Sequence, residues 1–115
     1  MTHPRTRLDD VIYQPVRFSI VAAVAAADEL EFATVRDVVE VSDSLLSQHA
    51  TRLEQAGYVR VRKGYVGKRP RTWFALTDEG RAAFDQHLAA LQAIVTNGVP
   101  AEANPTPVEP EPPAG

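Results

Sequence analysis

Between Glu54 and Asp78 the chain carries six bases and no acid: Arg60, Arg62, Lys63, Lys68, Arg69 and Arg71. The stretch reads as a β-hairpin. Val59-Arg-Val-Arg-Lys63 and Thr72-Trp-Phe-Ala-Leu76 are the strands, rich in β-branched and aromatic residues. Gly64-Tyr-Val-Gly-Lys-Arg-Pro-Arg71 is the loop, with Gly64 and Gly67 able to turn its tip. The charge is local, because the whole chain has a formal net charge of −3. From Asp9 through Glu54 nine acids face three bases, and the segment after Asn97 holds Glu102, Glu109 and Glu111 and no base. An acidic chain that gathers its bases on one hairpin presents that hairpin to an anion.

What precedes the hairpin gives it a context. Ser42 is a helix cap, and Asp43-Ser-Leu-Leu-Ser-Gln-His-Ala-Thr-Arg-Leu-Glu-Gln-Ala56 is an amphipathic helix stopped by Gly57 at the position after its C-cap. Leu45, Leu46, His49, Ala50, Leu53 and Ala56 share one face at 3.6-residue periodicity. Ser44, Ser47, Gln48, Thr51 and Gln55 share the other, with Arg52 at its edge. Upstream, Thr34 followed by Asp37 resembles a capping box and predicts a short helix with Val35, Val38 and Val39 inward. Its β-branched content is poor for helix propensity, so tertiary packing has to hold it.

The rest of the chain supports one domain. Pro15 suits the first turn of a helix running to about Ala27, with Val16, Ile20, Val21 and Val24 at helical spacing. Leu8, Val11 and Ile12 add an apolar turn before it, and Leu30-Glu31-Phe32 reads as a short extended piece. Thr77-Asp78-Glu79-Gly80 starts a last helix, whose Phe84, Leu88, Leu91 and Val95 form one stripe. Residues 1–7 are expected to be a frayed arm, 8–97 the folded domain and 98–115 a disordered tail, where six of 18 residues are proline. The fold class is α+β and mostly helical.

The composition also excludes chemistry. There is no cysteine, hence no disulfide, thiol nucleophile or Cys-type zinc site. His3, His49 and His87 are scattered, without carboxylates at ligand spacing, so no metal is expected. Gly64-Tyr-Val-Gly67 lacks the Lys-Ser/Thr ending of a P-loop, and no nucleophile has a plausible base. Neither a catalytic residue nor a cofactor is expected. No apolar run reaches the roughly 18 residues a membrane span needs, and the N-terminus has no signal-peptide stretch, so a cytoplasmic location is expected.

A short helix, a three- or four-residue turn, a helix with a small-polar outer face and a basic hairpin together form a duplex-reading constellation. Ser, Gln and Thr side chains can hydrogen-bond base edges in the major groove, while hairpin bases reach phosphates or the adjacent minor groove. Leu45-Leu-Ser-Gln-His-Ala-Thr-Arg-Leu-Glu-Gln-Ala-Gly-Tyr-Val59, Lys63-Gly-Tyr-Val-Gly-Lys-Arg-Pro-Arg-Thr72 and Ala75-Leu-Thr-Asp-Glu-Gly-Arg-Ala-Ala-Phe84 carry the resemblance to a known family. They resemble the recognition helix, the wing and the following helix of small MarR-like winged-helix regulators, over about residues 8–95. The resemblance implies a transcriptional regulator, more often a repressor, that binds a near-palindromic operator in double-stranded DNA as a homodimer. It implies Ser44, Ser47, Gln48, Thr51 and Arg52 at the DNA from the recognition helix, and Arg62, Lys63, Lys68, Arg69 and Arg71 from the wing. Neutral Gln48, Thr51 and Gln55 occupy the outer face where many such regulators place a base, which shifts weight to the wing.

Other readings stay open. The helix face can be a merely solvated surface, and the domain can be an interaction module that binds protein. A small-molecule effector between dimerising helices fits the fold, although no residue points to one. His49 is expected at the core boundary, and His87 beside the last helix's stripe, near an interface. Trp73 and Phe74 are both expected in the core. Phe84 is expected to pack within its own domain. Leu88, Leu91 and Val95 are the interface candidates, and Arg71, stiffened by Pro70, is the expected deep wing contact.

Overall fold

The computed structural model describes residues 2–97; the tail expected beyond them lies outside the described residues. The elements in order are a 3-10 helix Pro4–Arg7, α1 (Pro15–Ala25), β1 (Leu30–Glu31), α2 (Phe32–Val39), α3 (Asp43–Gln55), β2 (Val59–Val66), β3 (Arg69–Leu76) and α4 (Asp78–Asn97). The three strands form an antiparallel sheet in the order β1-β3-β2. The architecture is the expected mostly helical α+β fold.

Local chemistry explains most boundaries. Pro15 opens α1, where Gln14 Oε1 accepts the Arg17 N–H at 2.8 Å. Ser42 Oγ accepts the Leu45 N–H at 3.1 Å and caps α3. At the other end Gly57 has φ +81°, and the Gly57 and Tyr58 N–H groups donate back to the Glu54 and Leu53 carbonyls at 2.9 and 3.0 Å. That paired return is the Schellman closure, and it points the chain straight into β2. Between α2 and α3 the turn is three residues, Glu40–Ser42, made tight by Glu40 at φ +60°.

One boundary differs from expectation. The capping box at Thr34 does not form; α2 begins at Phe32, with Glu31 as a cap that makes no side-chain bond. Pairing with β3 fixes Leu30 and Glu31 as strand, and Phe32 docks on Phe74 with ring centroids 5.7 Å apart. Tertiary packing therefore starts the helix two residues early, and Asp37 pairs with Arg36 Nε at 3.0 Å.

The hairpin also differs. Strand pairing continues through Gly64–Arg71, Tyr65–Pro70 and Val66–Arg69, so the expected eight-residue loop shrinks to Gly67 and Lys68. Gly67 supplies the positive φ, +65°, that a two-residue turn needs. Pro70 is tolerated because β1 pairs only with Trp73 and Phe74, leaving β3 an edge strand at Pro70.

The core is continuous: Ile12, Ile20, Val21, Val24, Val35, Leu46, Ala50, Leu53, Val59 and Phe74 are buried together. Phe74 takes the core position, whereas Trp73, also expected there, is half-buried on the opposite sheet face. The apolar turn before α1 is held by Asp9. Its Oδ1 accepts the Val11 and Ile12 N–H groups, and its Oδ2 accepts the Tyr58 hydroxyl at 2.5 Å. Burial pushes the Asp9 carboxyl up, but these bonds outweigh it and hold the group below the usual range. The same bond pushes the Tyr58 phenol up to about 12.

His87, expected near an interface, is instead inside its own domain. It is buried on α4 against the Phe18 ring, centroids 5.6 Å apart, and its Nδ1 accepts the Asp9 N–H at 3.0 Å. Burial lowers its pKa, although the Asp9 carboxylate pulls the other way. The neutral ring is the form whose Nδ1 can accept. Residues 3–7, expected to fray, carry a 3-10 helix capped by His3 Nδ1 and packed on α4. Phe84 lies against Phe18 at 5.7 Å, within its own domain as expected.

Candidate nucleic-acid interface

The caps and buried face of α3 fix which side it shows to solvent. With Leu46, Ala50 and Leu53 inside, Ser44, Ser47, Gln48, Thr51 and Arg52 are all exposed along one side. Five small or flexible donors and acceptors on a rigid helix can meet base edges without desolvating an apolar side chain. His49 sits at the boundary, half-buried, with its Nδ1 3.3 Å from Arg17 Nη1. Burial and the Arg17 charge both hold the imidazole below its ordinary pKa. Arg36 of α2 reaches Asp43 at the start of α3 at 3.0 Å, which braces the turn between the two helices.

Strand alternation divides the wing bases between two faces. Cross-strand partners share a face, so Val59, Val61, Lys63 and Tyr65 lie with Leu76, Phe74, Thr72 and Pro70. This face turns toward α3. A groove of about 340 Å³ runs between them, lined by Ser47, Thr51 and Glu54 of α3, Lys63 and Thr72 of the wing, and an apolar floor including Phe32, Val61 and Phe74. Arg60, Arg62, Arg69 and Arg71 lie on the reverse face with Trp73. Lys68 stands at the turn.

The expected wing residues therefore separate. Lys63, Lys68 and Arg69 are exposed, and none of them makes an ion pair among the described residues. Arg62 donates through Nε and Nη2 to both oxygens of Glu29, at 2.9 and 2.7 Å, and lies 4.0 Å over the Trp73 ring. The pairing holds the Glu29 carboxyl below the usual range. Arg71, the expected deep contact, instead meets Glu31 at 2.6 Å. Sequence reasoning missed Thr72, Glu29 and Glu31. The two-residue spacing within each arginine pair was visible, but only strand pairing that runs on to Arg69 carries the second pair onto the face of the first.

The last helix turns Ala83, Phe84, His87 and Ala90 inward. Leu88, Leu91 and Val95 lie beside that stripe at 39%, 37% and 85% exposure, leaving an apolar strip on the outer surface. Among the described residues no helix is long and apolar enough to cross a membrane. Nor does any group of three or more His, Cys, Asp or Glu side chains there sit where it could hold a metal ion.

A helix-turn-helix whose second helix shows a polar face, followed at once by a basic hairpin that shares a groove with it, defines a winged-helix DNA-binding protein. Comparison with known proteins agrees. Residues 16–95 match the family described as winged helix DNA-binding domain, and the chain belongs to that family, with the arrangement of a MarR-like regulator. It is similar to an uncharacterised protein of Methanocaldococcus jannaschii, 27% identical over 82 residues that span 71% of this chain and 89% of that one. In structure it is similar to a transcriptional regulator homologue from Pyrococcus horikoshii OT3, with TM-score 0.69 and 27% identity over 74% of this chain and 84% of that one. The PcaV transcriptional regulator from Streptomyces coelicolor, solved with its natural ligand, shares the fold at TM-score 0.61 and 20% identity, over 87% of this chain and 72% of that one.

Proposed function

We propose that this protein is a homodimeric transcriptional repressor that binds a near-palindromic operator. The observation that carries the reading is the groove between α3 and the wing, with polar Ser47 and Thr51 on one wall and Lys63 and Thr72 on the other. In a chain of net charge −3, this is where base-reading side chains meet a wing cation, Lys63, that makes no ion pair among the described residues, although Glu54 also lines the wall. A sugar-phosphate strand seated along the groove leaves the outer face of α3 in the major groove and the wing tip at the flanking minor groove. Wing cations release counterions and give affinity; α3 gives selectivity. The ligand-bound relative supports a small-molecule effector as a further partner.

Genomic fragments captured by the purified protein identify the operator, and fluorescence anisotropy across a salt series then measures it. A protein-only interaction module with this fold shows no salt-dependent affinity for duplex DNA, which sinks the reading. Within the complex, Gln48→Ala and Thr51→Ala weaken the operator more than mixed-sequence DNA. The loss is about 1–3 kcal/mol where Gln48 makes a bidentate contact to adenine. Equal losses on both DNAs reduce these residues to positioning.

The dimer rests on Leu88, Leu91 and Val95, an exposed apolar strip on a helix that already has its own buried face. Each leucine fully buried contributes about 1.5–3 kcal/mol, and a two-fold interface counts it twice. Two recognition helices then lie about one DNA turn, roughly 34 Å, apart. Leu91→Asp gives a folded monomer with weak operator binding, read by sedimentation at micromolar concentration. A wild-type monomer in that experiment removes the dimer and the palindrome together.

A further inference from the structure

We infer that Glu29 and Glu31 act as internal stand-ins for phosphate: they hold Arg62 and Arg71 on the reverse face of the wing and limit how many DNA phosphates the wing neutralises. This rests on the DNA-binding reading above. The argument begins with parity. Glu31 pairs with Trp73 across β1 and β3, so it shares the reverse face with the arginines. Glu29, just before the strand, reaches the same side through its two bonds from Arg62. The short strand between α1 and α2 and the residue just before it thus deliver two carboxylates to the side of the sheet where the hairpin delivers four guanidinium groups.

The geometry is that of anion recognition. Arg62 grips both Glu29 oxygens, the fork a guanidinium offers to a carboxylate or a phosphate alike. Its reverse side is covered by Trp73 at 4.0 Å. Gly64 leaves room for this stack, since a Cβ there would lie 3.2 Å from Trp73 Cζ3 and 3.6 Å from Arg62 Nη1. Arg71 is engaged at 2.6 Å by Glu31. A DNA phosphate that takes either guanidinium replaces one anion by another and leaves a bare carboxylate beside the phosphodiester. The exchange gains little attraction and adds a repulsion. Arg60 and Arg69 share the face but make no ion pair among the described residues. Position alone does not occupy an arginine; the two acids do.

The experiment measures affinity for a mixed-sequence duplex across a salt series, with wild type, Arg71→Ala, Lys68→Ala, Glu29→Gln and Glu31→Gln. Lys68→Ala is expected to shallow the log K against log salt slope by up to about 0.9, whereas Arg71→Ala leaves it unchanged. Glu29→Gln and Glu31→Gln each free one guanidinium, steepen the slope by up to about 0.9 and tighten binding roughly fivefold at physiological salt. Adding Arg71→Ala to Glu31→Gln returns the slope to the wild-type value. Tighter binding cannot come from misfolding, and Glu29 lies outside every helix and strand, so its variant carries the test if Glu31→Gln disturbs the start of α2. Unchanged slopes in both glutamine variants, or an Arg71→Ala slope that shallows as far as Lys68→Ala, overturn the inference while leaving the DNA-binding reading intact. A wild-type chain without salt-dependent binding fails that reading itself, and this inference with it.

Discussion

Gly80→Ala is expected to lower the thermal midpoint by roughly 10–20 °C, more than the same change at Gly57, Gly64 or Gly67. By propensity alone the change should help, since alanine is about 1 kcal/mol better than glycine inside a helix. The site reverses the sign. A Cβ at position 80 would lie 2.0 Å from the Tyr58 carbonyl oxygen, 2.8 Å from its carbon and 3.0 Å from its Cα. These are backbone atoms, pinned by the Thr77 N–H, which donates to the same carbonyl at 3.0 Å. Thr77 Oγ1 also accepts the Gly80 N–H at 2.9 Å and donates to the Gly57 carbonyl at 2.6 Å. The first turn of α4 is therefore clamped against the exit of α3, and neither side can give. Overpacking against such a site costs about 3 kcal/mol, a large part of a small domain's total stability. Gly67→Ala is the control: it meets nothing within 4 Å and costs only about 1 kcal/mol for its positive φ. A melting curve of Gly80→Ala that overlays the wild type rejects this account of how α4 is seated.

Replacing Lys63, Lys68 and Arg69 together by alanine is expected to weaken duplex binding roughly 100-fold at physiological salt and to shallow the salt slope by up to about 2.7. Lys63 is on the groove side, Lys68 at the turn and Arg69 beside the turn on the reverse face; all three are exposed, and none makes an ion pair among the described residues. The variant should melt like the wild type, because removing them breaks no contact that holds the fold. Each phosphate contact contributes through the counterion it releases, so the loss belongs to operator and mixed-sequence DNA alike. Losses confined to the operator would mean that the wing reads bases. Unchanged affinity would remove the wing from the interface.

The sequence by itself determined the parts whose causes are local. Ser42 caps α3 because a hydroxyl at that position reaches the N–H three residues on, and Gly57 ends it because a left-handed residue has to. The acid-free stretch from Gln55 to Thr77 and the polar face of α3 could be seen in the order of residues, and with them the winged-helix class. What only the tertiary structure decided are the properties set by pairing between distant segments. The start of α2 moved from Thr34 to Phe32 because β1 pairs with β3 and Phe32 packs on Phe74. His87 went inward because Asp9, 78 residues earlier, donates its N–H to it. Arg62 and Arg71 look like Lys63 and Lys68 in a row of charges. A side chain's face, however, is fixed only where its residue is paired in a strand, and how far the pairing runs toward the tip is a tertiary outcome. Pairing that runs on past Lys63 and Thr72 to Val66 and Arg69 makes Arg69 and Arg71 strand residues, which puts all four arginines on one side with Glu29 and Glu31. Which bases remain available to DNA follows from that register, and a row of charges does not encode it.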